Sequence, residues 1–209
     1  MRYETPASAK EAAGLLKKEK GAAFLLAGGT DLLVKLKMGI VEPDLVVDIK
    51  RIPKISDIQS SAKGFTIGAA VSGAEIGEHA GLKKAWPGVV EAANLIGSDQ
   101  IQGRATLPGN LCNASPAADS VPALIAAGAK AVVVGPLKKR TVSVEKIMIG
   151  PGKTSLAKGE LIEAITLPKA EPRSGDAYLR FTPRTEMDIA VVGIAICLKL
   201  ERGVIKKAR

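Results

Sequence analysis

The stretch Ala105–Asp119, ATLPGNLCNASPAAD, decides how this chain is read. It contains no Lys, Arg or Glu, and it lies between the apolar run Val89–Ile96 and the helical-looking segment Ser120–Ala127. A surface connection of this length ordinarily carries charge; this one offers backbone and short side chains instead. Thr106, Asn110, Asn113 and Ser115 can all donate hydrogen bonds, and Gly109 lets another group come close to the main chain. Such a loop suits a phosphate or a polar cofactor. It also suits a plain Asn/Pro/Gly connection, and the stretch alone leaves both readings open.

A second stretch of the same kind lies upstream. Ala22–Leu26 reads as a short buried strand, followed by Ala27-Gly28-Gly29-Thr30-Asp31 and by a predicted helix Leu32–Lys37 that stops at Gly39. The start of a helix presents unpaired N–H groups and a partial positive charge, and two glycines allow oxygens to approach the backbone. The turn is neither GxGxxG nor a P-loop and holds no lysine. A Thr or Asp cap on an ordinary αβ unit explains it equally well.

The remaining chain supplies a scaffold. Residues 6–20 read as an amphipathic helix with Pro6 in its first turn, Ser8 and Glu11 at capping-box spacing, a buried face of Ala12, Leu15 and Leu16, and a stop at Gly21. Leu45–Ile49 reads as a buried strand, and Lys50–Ser61 as a connection between two lobes. Phe65–Val71 is a predicted strand, Ser72–His79 a helix capped by Ser72 with Glu75 three residues on, and Pro87–Ile96 another helix. Trp86 before it reads as packing. Ala131–Val134 and Arg140–Val144 form a predicted hairpin. Glu160–Leu167, Ala177–Phe181 and Asp188–Leu200 are predicted strands, with a turn at Glu201-Arg202-Gly203.

Composition excludes several classes. At 209 residues the chain can bury a core of one or two domains. Aromatics make up only 3%, so that core is mainly aliphatic. No segment reaches the apolar length of a transmembrane helix, and the N-terminus lacks a signal-peptide core, which predicts a cytoplasmic protein. The only histidine is His79, and the two cysteines, Cys112 and Cys197, form no ligand cluster. His79 reads as a surface residue on the helix after Ser72. The net charge of +9 raises nucleic acid as a partner. Against it stand the scarcity of aromatics for stacking and the wide spacing of the basic groups, so nucleic acid is not expected.

Taken together, these motifs resemble the FAD-binding medium subunit of the molybdenum hydroxylases, the family of carbon monoxide and xanthine dehydrogenases. Leu26-Ala27-Gly28-Gly29-Thr30-Asp31-Leu32-Leu33 resembles its first flavin loop. Ala105-Thr106-Leu107-Pro108-Gly109-Asn110 resembles the second, with Asn113–Asp119 as its continuation. Phe65–Ala69, Gly159–Ile162 and Arg184–Ala190 are supporting pieces, and the match runs in order through nearly the whole chain. The resemblance implies an α+β fold of the vanillyl-alcohol-oxidase type, with an FAD-binding domain over residues 1–175. Its lobes would span about 1–55 and 56–175, with the cofactor between them. Residues 176–209 would be the first strands of a C-terminal domain that continues past Arg209 in the family, so that this chain is truncated.

By the same resemblance, Gly28, Gly29, Thr30 and Asp31 hold the pyrophosphate, with Leu26 and Ala27 leading into that loop. Ala105, Thr106, Gly109, Asn110 and Ser115 belong to the opposite side. Asp119 would accept from a ribityl hydroxyl, Ile162 would pack near the ring system, and Arg180 stands where lysine often lies near the flavin. The alternative reading of Asp119, the weaker of its two, is the N-cap of the following helix; Arg180 reads equally as a solvated charge on an edge strand. No catalytic acid, base, nucleophile or metal ligand is implied in this chain. The partners implied are a molybdenum-cofactor large subunit, a small 2Fe–2S subunit and an external acceptor such as NAD, a quinone or oxygen. Two departures matter: besides the length, the family's Thr-Ile-Gly-Gly-Asn has Pro108 in place of its first glycine, and its preceding Gln-Ile-Arg-Asn appears as Gln100-Ile101-Gln102-Gly103. Proline has no N–H, so a phosphate contact is expected to be lost. The alternative is a non-catalytic scaffold of the same fold that has lost FAD.

Overall fold

A computed structural model describes residues 1–185 and 187–209. Glu186, within the Arg184–Ala190 motif, lies outside the described residues. The chain opens with β1 (Arg2–Glu4), a strand too short to be read from the sequence. Helix α1 (Ala9–Lys18) is shorter than expected at both ends. Ser8 has an extended backbone, and its Oγ accepts from the Glu11 N–H at 3.1 Å, so Ser8 is the cap and Pro6 falls outside. The Glu11 carboxylate accepts from the Ala7 N–H, one residue before the usual partner in a capping box.

Strand β2 (Ala23–Leu26) leads through the Gly-Gly turn into α2 (Leu32–Lys37), and β3 (Leu45–Asp48) follows. The three strands form a parallel sheet in the order β1-β3-β2. All four residues of β3 are buried, as the middle strand of a covered sheet requires.

Strands β4 (Ile58–Ser61) and β5 (Gly64–Gly68) form a hairpin, of which only the second strand was expected. Helices α3 (Gly73–Glu78), α4 (Ala80–Ala85) and α5 (Pro87–Ala93) come next. Ser72 and Glu75 make the expected reciprocal cap on α3. His79 closes α3 and opens α4, its Nδ1 accepting from the Leu82 N–H at 3.0 Å. Trp86 is buried, and its Nε1 donates to the Pro168 carbonyl.

Three further helices, α6 (Asp99–Gln102), α7 (Leu107–Asn113) and α8 (Ser120–Ala126), precede the hairpin β6 (Lys130–Val134) and β7 (Lys139–Ser143). A small hairpin, β8 (Met148–Gly150) with β9 (Lys153–Thr154), then leads to β10 (Leu161–Pro168). The second sheet is antiparallel in the order β4-β5-β10-β6-β7. Its main core gathers Ile67, Val89, Leu107, Leu111, Leu124, Val133 and Ile165 between sheet and helices. A smaller core joins α1 and β3 to Val134 and Leu161 of the second sheet, so residues 1–55 pack directly on the rest.

The third sheet consists of β11 (Ser174–Phe181), β12 (Val192–Glu201) and β13 (Val204–Ala208). The turn between β12 and β13 has positive φ at Arg202 (52°) and Gly203 (78°), the geometry of a tight two-residue hairpin. On its inner face Tyr178 is fully buried, packed against the main core beside α5 and α8. Leu179, Phe181 and Ile194 lie exposed on the strands.

A minority of the basic side chains are paired with carboxylates among the described residues. Arg140 meets Glu160, Lys139 meets Glu163, and Lys199 and Lys207 share Glu171. No described helix is long and apolar enough to cross a membrane.

Candidate functional site

The loop Ala105–Asp119 is not a loop throughout. Its first half is α7, and the reason is local. Thr106 is extended and accepts the Gly109 N–H on its Oγ1 at 3.0 Å, which caps the helix. Pro108 falls in the first turn, where a missing N–H costs no intrahelical bond. Leu107 and Leu111, four residues apart, are buried on one face and anchor the helix in the main core. The helix ends at Ala114, whose φ of 51° is left-handed. Pro and Gly in the first turn hide this helix from a propensity reading.

The first turn contrasts with this. Gly29 has a φ of 84°, a conformation glycine accepts without strain. At Gly28 a Cβ would stand 1.9 Å from the Arg104 carbonyl oxygen, so only glycine lets the two segments touch. Arg104 itself donates through Nε to the Gly28 carbonyl at 3.0 Å. The Lys50 ammonium reaches the Ala27 carbonyl at 3.3 Å and pairs with Asp48. Both cations hold the carbonyl side of the turn. Among the described residues none accepts from the N–H groups of Gly28, Gly29, Thr30 or Asp31.

A cavity of about 330 Å³ lies between the two segments. Ala27, Gly28, Gly29, Thr30 and Asp31 line it from one side, and Ala105, Thr106, Gly109 and Asn110 from the other. Ile162 lines it as well. The register of β10 against β6 shifts between Ile162 and Ala164, a bulge of the kind that re-aims a side chain beside a site. Asn110 is half-engaged: its Oδ1 accepts from the Ser120 N–H at 3.3 Å and the Ser120 hydroxyl at 2.6 Å, leaving its NH₂ to donate.

Four expected residues do not line the cavity: Leu26, Ser115, Asp119 and Arg180. Leu26 is buried at the end of β2. The Ser115 hydroxyl accepts from the Ala117 N–H in the turn after α7. Asp119 makes no cap on α8; its Oδ1 accepts from the Tyr178 hydroxyl and from Arg180, both at 3.1 Å. Arg180 also donates to the Leu95 carbonyl at 2.6 Å. This buried trio ties β11 to the start of α8. Burial and the neighbouring Asp119 carboxylate raise the Tyr178 hydroxyl well above its ordinary value. Pairing across about sixty residues leaves no local signal in the sequence.

Other lining residues are not among the expected site residues, although Asn113 reads as a donor of the second loop. Lys35, Asn113, Phe24 and Ile96 belong to the wall. Lys35 donates to the Asn113 Oδ1 at 3.0 Å, and the Asn113 Nδ2 donates to the Asp31 Oδ1 at 2.9 Å. The spacing of Asp31 and Lys35, four residues apart on one helical face, was the available signal.

Free N–H groups on a glycine turn facing a capped helix across a mixed wall define a site for a nucleotide-like cofactor. Residues 1–170 match the family described as the FAD binding domain in molybdopterin dehydrogenase. The carbon monoxide dehydrogenase medium chain of Hydrogenophaga pseudoflava is 30% identical over 207 residues, covering 99% of this chain and 72% of the relative. The putative xanthine dehydrogenase FAD-binding subunit of Escherichia coli K12 is 31% identical over 203 residues, covering 96% and 69%. Among solved structures, a carbon monoxide dehydrogenase from Hydrogenophaga pseudoflava superposes with a TM-score of 0.94 over 100% of this chain and 72% of that chain, at 30% identity. The chain belongs to the FAD-binding domain family of the molybdopterin dehydrogenases. It is an FAD-binding subunit of an oxidoreductase, with the α+β fold of the carbon monoxide dehydrogenase medium chain.

Proposed function

We propose that this subunit passes electrons from the iron–sulfur clusters of a small 2Fe–2S partner through its FAD to an external acceptor, alongside a large subunit that carries the molybdenum cofactor. The observation that supports this most is the glycine turn. The N–H groups of Gly28, Gly29, Thr30 and Asp31 have no partner among the described residues, and they border the cavity. These residues would hold the diphosphate of FAD. From the facing side the Thr106 hydroxyl and the Asn110 NH₂ remain able to donate. Ile162 offers an apolar surface to the ring system. Residues 1–55 and 56–175 would form the two walls, and residues 176–209 a separate layer.

The donor set fits the group. The missing Cβ of Gly28 lets the turn pack on the Arg104 carbonyl, and unpartnered backbone donors next to an apolar wall match a molecule with a diphosphate and a flat ring. Pro108 does not close the site, because it occupies a helical first-turn position. When bound, FAD supplies the exchange between single-electron and two-electron carriers. The chain's own residues bind it, orient it and shield it from water.

Asp119, Tyr178 and Arg180 would act behind the wall by holding α8, and with it Asn110, in place. NAD, a quinone or oxygen could each serve as acceptor. Purified chain should carry stoichiometric flavin, and affinity capture should recover the large and small subunits with it. Chain that is folded, colourless and unable to take up FAD would defeat the proposal. Capture without either partner would defeat its assembly.

A further inference from the structure

Among the described residues that line the cavity, Lys35 is the only basic side chain and Asp31 the only acidic one. Both sit on the same side of α2, one helical turn apart. Asn113 connects them: its Oδ1 accepts from the Lys35 ammonium, and its Nδ2 donates to the Asp31 carboxylate. This relay crosses from α2 to α7, so the amide of Asn113 is fixed in orientation by the two charges. A lysine ammonium has three donors. Asn113 takes one, which leaves two for a ligand.

The facing wall offers an anion no charge, only the Thr106 hydroxyl and the Asn110 NH₂. Pro108 has no N–H, and the N–H groups of Gly109 and Asn110 are engaged by the Thr106 hydroxyl and carbonyl. Leu107 does not line the cavity. A diphosphate bound at the glycine turn therefore meets backbone donors on one side only, and it meets the Asp31 carboxylate on the same rim. Opposite charge within a few ångströms decides whether such a ligand is retained.

We propose that Lys35 is a diphosphate-binding residue, held ready by Asn113, that supplies the counter-charge the α7 side lacks. The proposal rests on the FAD reading and goes beyond it. It makes affinity depend on the diphosphate rather than on the ring, and it assigns that dependence to a side chain absent from either glycine motif.

The test uses the 209-residue chain stripped of flavin, titrated with FAD and with riboflavin at low and high salt. Lys35→Met is expected to weaken FAD about tenfold, to leave riboflavin within about twofold, and to flatten the salt dependence of FAD affinity. Lys35→Arg should restore most of the loss. Lys37→Met, on the exposed side of the same helix, should change neither ligand. Unchanged FAD affinity in Lys35→Met would overturn the role of Lys35 alone, as would an equal loss for FAD and riboflavin. Wild-type chain that binds neither flavin would overturn the FAD reading with it.

Discussion

The two segments that face each other across the cavity have the same outline and opposite hydrogen-bond economies. Among the described residues nothing accepts from the N–H groups of Gly28–Asp31, while Arg104 holds the Gly28 carbonyl and Lys50 the preceding Ala27 carbonyl. Thr106–Asn110 satisfies its own start: the Thr106 side chain and carbonyl take two N–H groups, and Pro108 removes a third. A turn with free donors is built for a ligand. A turn that caps itself is built for stability and serves the ligand as a wall. The difference teaches that a glycine-rich motif has to be judged by which of its N–H groups remain unpaired.

The largest effect is expected at the first turn. Gly28→Val places a side chain on the Arg104 carbonyl, so FAD binding should be lost and stability should fall by about 3 kcal/mol. Calorimetry and flavin titration measure both. A variant that still binds FAD would break the comparison, because the free-donor turn would then be dispensable.

Arg180→Met should come next. It leaves the Asp119 carboxylate buried without its cation, which costs about 3 kcal/mol. FAD affinity should fall only as far as α8 loosens. If the affinity collapses while the melting temperature holds, Arg180 touches the cofactor and does not act as a brace.

Pro108→Ala sharpens the contrast from the other side. It returns an N–H to the start of α7 without the added flexibility of glycine. FAD should bind up to about tenfold tighter, equivalent to roughly 1.4 kcal/mol. Equal or weaker binding would show that the second turn contributes no backbone contact.

The smallest effect lies away from both turns. The Arg140 guanidinium makes two bonds to Glu160, at 2.8 and 2.7 Å, and holds its carboxyl down at about 2. A depressed carboxylate stabilises the fold above its unfolded value and loses that contribution as pH falls. Wild-type stability should therefore drop between about pH 4.5 and pH 2. Glu160→Gln should lose about 1 kcal/mol at neutral pH and flatten that part of the profile. An unchanged acid limb in the variant would assign acid sensitivity to other carboxylates.

Local chemistry made part of this legible. Helix α2 has the ends its residues predict, Leu32–Lys37. Ser72 and Glu75 cap α3, and the β6–β7 hairpin lies where alternation and the Gly135–Lys139 turn put it. Such elements declare themselves through neighbours a few residues away. Four strands did not: β1, β4, β8 and β9 are short or poorly buried, and each exists because a partner strand offers its edge. Helix α7 was missed for a related reason. Its low-propensity Pro and Gly are tolerated only in a first turn, and its stability comes from Leu107 and Leu111 in the core.

The sequence by itself determined the family, the cofactor, the two glycine-bearing segments and the order of most elements, because those depend on residue type and short spacing. Only the tertiary structure decided which donors stay free. It also brought Lys35 within reach of Asn113, 78 positions along the chain, and joined Asp119 to Tyr178 and Arg180. Those contacts arise when separate segments are pressed against a common core, where burial selects polar partners that no local pattern encodes.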